Sequence, residues 1–194
     1  HFLRCGPLWP TSSPTDTSCA VASTIKPQKL TSPASYVATM FGIGNLPIMP
    51  GTWCSLLVAV PALLVPDEWI DITRLIYGIL AVVFTIASVW SVRRVQDEWG
   101  HDPSIVVVDE AAAMSLVLLL PFAYWAWYWW CGAVVLFRIY DVQKPWPISV
   151  LNNRTEPWSV VADDLVAAVF TILTLQLGML ALQVLALGGL ALSS

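Results

Sequence analysis

The sequence predicts an all-α fold: a polytopic membrane bundle with shortened, re-entrant helices and its acidic motifs gathered at the cytoplasmic end. Three observations carry that prediction. Hydrophobic residues make up 57% of the 194 and charged residues only 11%, where a soluble domain carries about 25% charged. The mean hydropathy is +0.71. From Tyr36 onward, apolar runs long enough to span or half-span a bilayer alternate with short polar connectors, with room for about four to six helices at roughly 20 residues each.

Each element follows from its run. Residues 1–35 are rich in Ser, Thr and Pro and nearly free of acids, which predicts a disordered or transit-like extension rather than a secretory signal. Residues 36–194 form a single membrane-embedded domain. Run one, residues 52–65, ends at Pro66 and reaches spanning length only if the loop before it also enters the membrane. Run two, residues 72–90, is a full span. Run three covers residues 111–137 and is interrupted by Pro121 and the cluster YWAWYWW. The last run, residues 165–192, exceeds one perpendicular span, which calls for tilt or a break near Gly178.

Charge sets the orientation. Lys26, Lys29, Arg93, Arg94, Arg138, Lys144 and Arg154 fall in the N-terminal segment and in the loops after runs two and three. The connector between runs one and two holds Arg74 beside Asp67, Glu68 and Asp71. The positive-inside rule places the three basic segments in the cytoplasm, that is, a bacterial inner (plasma) membrane protein crossing several times. Run three then has to go out and return within about 27 residues, too few for two full spans. It reads as two shortened helices turning near Pro121, with the tryptophan cluster at the far interface. Core packing is the alternative use of those indoles.

Several function classes drop out. A net charge of −4 with no basic tract excludes nucleic-acid binding. Four cysteines without C-x-x-C spacing predict neither a zinc site nor a disulfide framework. Cys131 and Arg138 enclose GAVVLF, which builds a membrane helix rather than a phosphate cradle. His1 and His101 are the only histidines, too few for a phosphohistidine mechanism.

Four motifs hold the chemistry. The first, GIGNLPIMPGTWCS (residues 42–55), specifies a fixed turn whose backbone N–H groups could meet an anion, with Thr52 or Ser55 capping the next helix. The second, HDPSIVVVDE (residues 101–110), places Asp109 and Glu110 in apolar surroundings, where an ionised carboxylate requires a partner, a proton or a cation. Pairing with Arg138 would be a purely structural solution. The third, FRIYDVQKPWPI (residues 137–148), spaces Arg138, Asp141 and Lys144 at three-residue intervals, on one face if helical, and its prolines end that helix. The fourth, ADDLVAAV (residues 162–169), sets Asp163 and Asp164 at the head of the last helix, where capping is the bland alternative.

Together these motifs bring Asp109, Glu110, Asp141, Asp163 and Asp164 to the cytoplasmic ends of different helices, against Arg138 and Lys144. An oxygen-only donor set suits Mg²⁺, and the two cations suit an anionic group beside it. That composition reads as phosphoryl chemistry at a membrane surface.

In order and approximate spacing, G-x-G-x-x-P-x-x-P-G-T, DPSIVVVDE, FRIYDVQKPWPI and ADDLVAA resemble the phosphatidylglycerophosphatase A family of bacterial membrane lipid phosphatases. The resemblance runs from about residue 42 to residue 169. It implies Mg²⁺-dependent hydrolysis of phosphatidylglycerophosphate and an all-helical fold with the acidic motifs around a central helix. It departs from the family's pattern at Ala113 and Cys54, which stand where glycine is expected, and at TEPWSVVADD, which replaces a glycine-rich approach. On this reading Asp109, Glu110, Asp163 and Asp164 hold the metal, and Asp109, Glu110, Asp141 and Asp164 are catalytic. Arg138, Lys144, Thr52 and Gly51 bind the phosphate of a phospholipid substrate. Attack by water, or by Thr52 or a carboxylate, stays open. The rival readings are a carboxylate-lined cation or proton transporter, which would spread its acids through the membrane depth, and a catalytically silent member of the same fold.

Overall fold

A computed structural model describes residues 30–99, 105–120, 127–152, 156 and 158–192, and among these every regular element is helical. The first short helix, α1 (Pro33–Ala38), opens with a capping box in which Ser32 and Ser35 satisfy each other's backbone N–H groups. It crosses position 35, and residues 1–29 lie outside the described residues. Met40, Phe41 and Gly42 then turn the chain through positive φ (46°, 57° and 99°) into a 3-10 turn at Ile43–Asn45. Gly44 lies so close to the Ile105 carbonyl that a Cβ there would overlap it. The Val107 N–H donates to the Ala38 oxygen at 2.9 Å, so the end of α1 is strapped to the second motif just before its two acids.

Helix α2 (Pro50–Leu63) begins with Pro50 in its first turn, where the missing N–H costs nothing. Neither Thr52 nor Ser55 caps it. The N-cap is Met49, and no side chain bonds the helix start. The cap expectation fails because the helix begins earlier, placing both residues inside it.

Two helices have membrane-spanning length: α3 (Ile70–Trp99) and the last helix, α7 (Ser159–Leu192). At 1.5 Å per residue they run roughly 45 and 50 Å, more than a hydrocarbon core of about 30 Å requires. Their apolar windows have a hydropathy of 2.2, yet only 28% and 22% of those windows is buried. The remainder turns Ile79, Val82, Ile86, Leu173, Leu177 and Leu185 outward. Water would not tolerate so continuous an apolar surface, whereas lipid covers it. The protein is a helical membrane protein. Helix α7 runs unbroken through Gly178, contrary to the break the sequence allowed. A Cβ at that glycine would meet nothing, so no packing constraint bends the helix there.

The centre is α4 (Val108–Leu118), packed against α2, α3 and α7. Ala111, Ala112 and Ala113 are fully buried, and such small side chains let helix backbones approach closely. Helix α4 is antiparallel to α3. Arg74 Nε at the start of α3 donates to the Leu119 carbonyl just past α4 (3.0 Å), while Val92 and Val95 near the end of α3 pack with Val106 and Val108. Helix α5 (Trp127–Gln143) runs back again, since Arg138 near its end reaches Glu110 at the start of α4. At 11 and 17 residues, α4 and α5 measure roughly 16 and 26 Å, both short of a full crossing. The turn expected near Pro121 lies outside the described residues. The tryptophan cluster divides: Trp127 and Tyr128 are exposed at the distal end, whereas Trp130 is buried and donates from Nε1 to the Ala59 oxygen (2.8 Å). Short helix α6 (Ile148–Asn152) then leads toward α7.

Two glycines test this packing. Gly44→Ala drives a methyl into a backbone carbonyl and should lower stability by about 1–3 kcal/mol. Gly78→Ala meets only the flexible Leu119 Cδ1 at 3.2 Å and should stay within about 1 kcal/mol of wild type. Unfolding midpoints in detergent check both; equal losses would refute the Gly44 contact.

Candidate active site

The site is assembled at one end of the bundle from the starts of α2, α4 and α7 and the end of α5. Asp109 and Glu110 occupy the first turn of α4. The backbone before them is held twice at Val107: its N–H donates to Ala38, and its carbonyl accepts from Cys54 Sγ at 3.0 Å. Cys54, where the resemblance leads one to expect glycine, is thus buried with its thiol satisfied. Asp109 Oδ1 accepts from the Glu110 N–H at 3.0 Å. The Glu110 carboxylate lies directly against Gly51, where any Cβ would overlap Oε1. The structure therefore gives Gly51 a steric reason: only a residue without a side chain leaves room for that carboxylate.

Arg138 bridges two acids from one nitrogen. Its Nη1 lies 3.0 Å from Glu110 Oε1 and 2.6 Å from Asp141 Oδ2. Helix α5 ends at Gln143, and Lys144 takes a left-handed φ of 42° with its N–H still donating to the Tyr140 oxygen. This differs from the shared helical face the spacing suggested. The residue before a proline is disfavoured in the helical region, and Pro145 follows Lys144. The ammonium is thereby sent across to α7, where it pairs with Asp163. Capping is also excluded for Asp163 and Asp164: α7 begins at Ser159, so both lie beyond the first turn.

Four of the acids are nearly inaccessible: Asp109 6%, Asp141 8%, Asp163 2% and Asp164 4% exposed. Asp164 lies within electrostatic reach of Asp141, Asp109, Asp163 and Glu110. All five predicted carboxylates and both predicted cations are therefore brought together, and Gly51 with them. Five carboxylates against two cations leave a formal excess of three negative charges, which burial makes expensive unless protons or a cation neutralise it. Glu110 Oε2, Arg138 Nε and Thr52 Oγ1 are buried without a hydrogen-bond partner among the described residues.

The excess negative charge would be met by protons or by a cation, and the residues present can be tested against the latter. The donors are hard oxygens, and an orphaned carboxylate oxygen sits among them. Among the described residues no group of three or more Asp, Glu, His or Cys side chains is arranged to hold a metal ion. Mg²⁺, which keeps several waters and takes only one or two carboxylates directly, would not require such a group.

Sequence reasoning missed Tyr140. Its hydroxyl lies 2.8 Å from Thr174 Oγ1 and its ring 5.8 Å from Phe170, which locks α5 onto α7 between Arg138 and Asp141. The only signal was an aromatic hydroxyl inside a charged motif. His101, at the head of the second motif, lies outside the described residues.

The fold defines a helical membrane protein, and the site is a buried carboxylate cluster bridged by an arginine and a lysine. Residues 36–179 match the model of the family described as Phosphatidylglycerophosphatase A. An Escherichia coli phosphatidylglycerophosphatase A is 32% identical over 149 residues, 74% of this chain and 81% of that one. A Haemophilus influenzae protein of the same name is 28% identical over 151 residues, 77% and 90% of the two chains. A Bacteroides thetaiotaomicron protein described provisionally as a phosphatidylinositol-3-phosphatase is 34% identical over 144 residues, 70% of this chain and 86% of that one. No solved structure matches. The chain belongs to the phosphatidylglycerophosphatase A family and is a phosphatase of it.

Arg138→Gln leaves Glu110 and Asp141 facing each other without their cation and should destabilise the fold by about 3–5 kcal/mol, measured by unfolding in detergent. Gly51→Ala displaces Glu110 instead. Phosphatase activity should fall on the order of 10²-fold with the unfolding midpoint little changed, and full activity would remove Glu110's placement from the mechanism.

Proposed function

We propose that the protein hydrolyses phosphatidylglycerophosphate to phosphatidylglycerol and phosphate with Mg²⁺, in phospholipid synthesis at the cytoplasmic face of a bacterial inner membrane. The observation that carries this reading is the convergence of Asp109, Glu110, Asp141, Asp163 and Asp164 with Arg138 and Lys144 at one end of a lipid-embedded bundle. The family supports the substrate class. The location of Arg93, Arg94 and Lys144 toward that same end supports the orientation. A transporter would distribute its acids through the membrane depth, and the buried acids of the described residues do not follow that pattern.

Asp109, Glu110, Asp163 and Asp164 would hold the metal, with Asp141 acting through water. When bound, Mg²⁺ supplies charge neutralisation and Lewis-acid polarisation of the phosphoryl group. The protein's own groups do the positioning. Arg138 and Lys144 already bind carboxylate oxygens, and phosphoryl oxygens present the same charge-assisted geometry. Arg138 Nε and Thr52 Oγ1, both without hydrogen-bond partners among the described residues, are donors for the remaining phosphoryl oxygens. The carboxylates orient a water for in-line attack: its oxygen bonds phosphorus, the bond from phosphorus to the glycerol oxygen breaks, and that oxygen leaves as a hydroxyl. The acyl chains stay in the bilayer, because only the headgroup has to reach the site.

A second headgroup belongs in the same assay. The Bacteroides relative's name points to phosphatidylinositol 3-phosphate, also a lipid phosphomonoester.

Purified protein in detergent should release phosphate from phosphatidylglycerophosphate with Mg²⁺ and stop on adding EDTA. Asp164→Asn should lower the rate by at least about 10³-fold while remaining folded. Chelator-resistant release would refute the metal. Faster turnover of the inositol lipid would replace the proposed substrate.

A further inference from the structure

A second feature lies outside the carboxylate site, on the exposed side of α3. Thr85, Ile86, Val89, Trp90, Arg93 and Arg94 line a groove of about 520 Å³. Their spacing (i, i+1, i+4, i+5, i+8, i+9) forms one continuous stripe along the helix. Its membrane-ward half is apolar, and the half toward the active-site end carries two exposed arginines. The ion pairs among the described side chains include neither arginine, and the side chains of Asp97 and Glu98, one turn further on, lie outside the described residues. The Arg94 guanidinium stacks 4.6 Å above the Trp90 ring, which limits its freedom while leaving its N–H edge available to an anion. Val92 and Val95, on the opposite side of the same turns, are packed into the bundle, so the arginines stand on a rigid element.

We propose that this groove is a binding site for an intact anionic glycerophospholipid, distinct from the catalytic cluster. The phosphate lies on Arg93 and Arg94, the glycerol region against Trp90, and an acyl chain along Val89, Ile86 and Thr85. Two lines of argument select this occupant. The charge calls for an anion, and the collinear apolar stripe below calls for a tail, which a free phosphate ion lacks. Basic residues beside a cytoplasmic leaflet rich in anionic lipid meet that ligand at high local concentration. The site holds a lipid beside the bundle without touching Asp109, Glu110, Asp141, Asp163 or Asp164.

Native mass spectrometry of the detergent-purified protein tests this directly. Titrated with phosphatidylglycerol and phosphatidylcholine of matched chains, the wild type should retain phosphatidylglycerol at least about five-fold more strongly. The double variant Arg93→Gln/Arg94→Gln should lose one bound phosphatidylglycerol and keep its phosphate release in detergent. Trp90→Leu, which keeps the charges, should weaken retention by a smaller factor. Excess inorganic phosphate should leave the bound lipid in place. Equal retention of the two lipids, unchanged retention by the double variant, or displacement by phosphate alone would each overturn the proposal. Because the readout is lipid binding, it is independent of whether the catalytic assay identifies the proposed substrate.

Discussion

Everything at the functional end of this molecule depends on neutralising carboxylates that the fold has removed from water. An unpaired buried carboxylate costs several kcal/mol, and here five lie together. Arg138 meets two of them, one from α4 and one from its own helix, and Lys144 meets a third on α7. These pairs tie three helices at the same level. The local backbone follows from that requirement. Gly51 is bare so that Glu110 can lie flat against α2, and Lys144 leaves the helical region so that its ammonium reaches α7. The cations offset only part of the formal charge, and the remainder has to be met by protons or by a further cation.

The short helices have a matching logic. A helix of 11 residues places its first turn, with Asp109 and Glu110, at one end of the bundle and leads its last turn toward Arg74 at the start of α3. Two long flanking helices, α3 and α7, supply the lipid-facing surface. The central helix can therefore be short, alanine-rich and closely wrapped. The polar cluster stays at one end of the bundle, beside the ends of the long helices.

The positions where the resemblance leads one to expect glycine are absorbed locally. Ala113 is fully buried in the packed core around α4, and the Cys54 thiol bonds the Val107 carbonyl that precedes the two acids. Neither change removes a charged group or opens the cluster. Cys54 adds a tie between α2 and the backbone that presents Asp109.

By itself, the sequence determined the fold class, the four motifs and the inventory of charged groups. Hydropathy over long runs and rare charges within apolar stretches are local properties, and both survive without a third dimension. It also led to the right pairing of run three with two short helices, because 27 residues cannot cross twice. The partners were not legible. Spacing put Lys144 beside Asp141 and put Asp163 or Asp164 at a helix cap, yet Pro145 redirected the lysine and α7 began earlier, at Ser159. Thr52 and Ser55 moved from caps to interior positions for the same reason, a helix boundary displaced by about one to two turns. Helix ends are set by tertiary contacts as much as by local residues. Which carboxylate faces which cation depends on side chains arriving from helices far apart in the chain, and only their packing around α4 decides it.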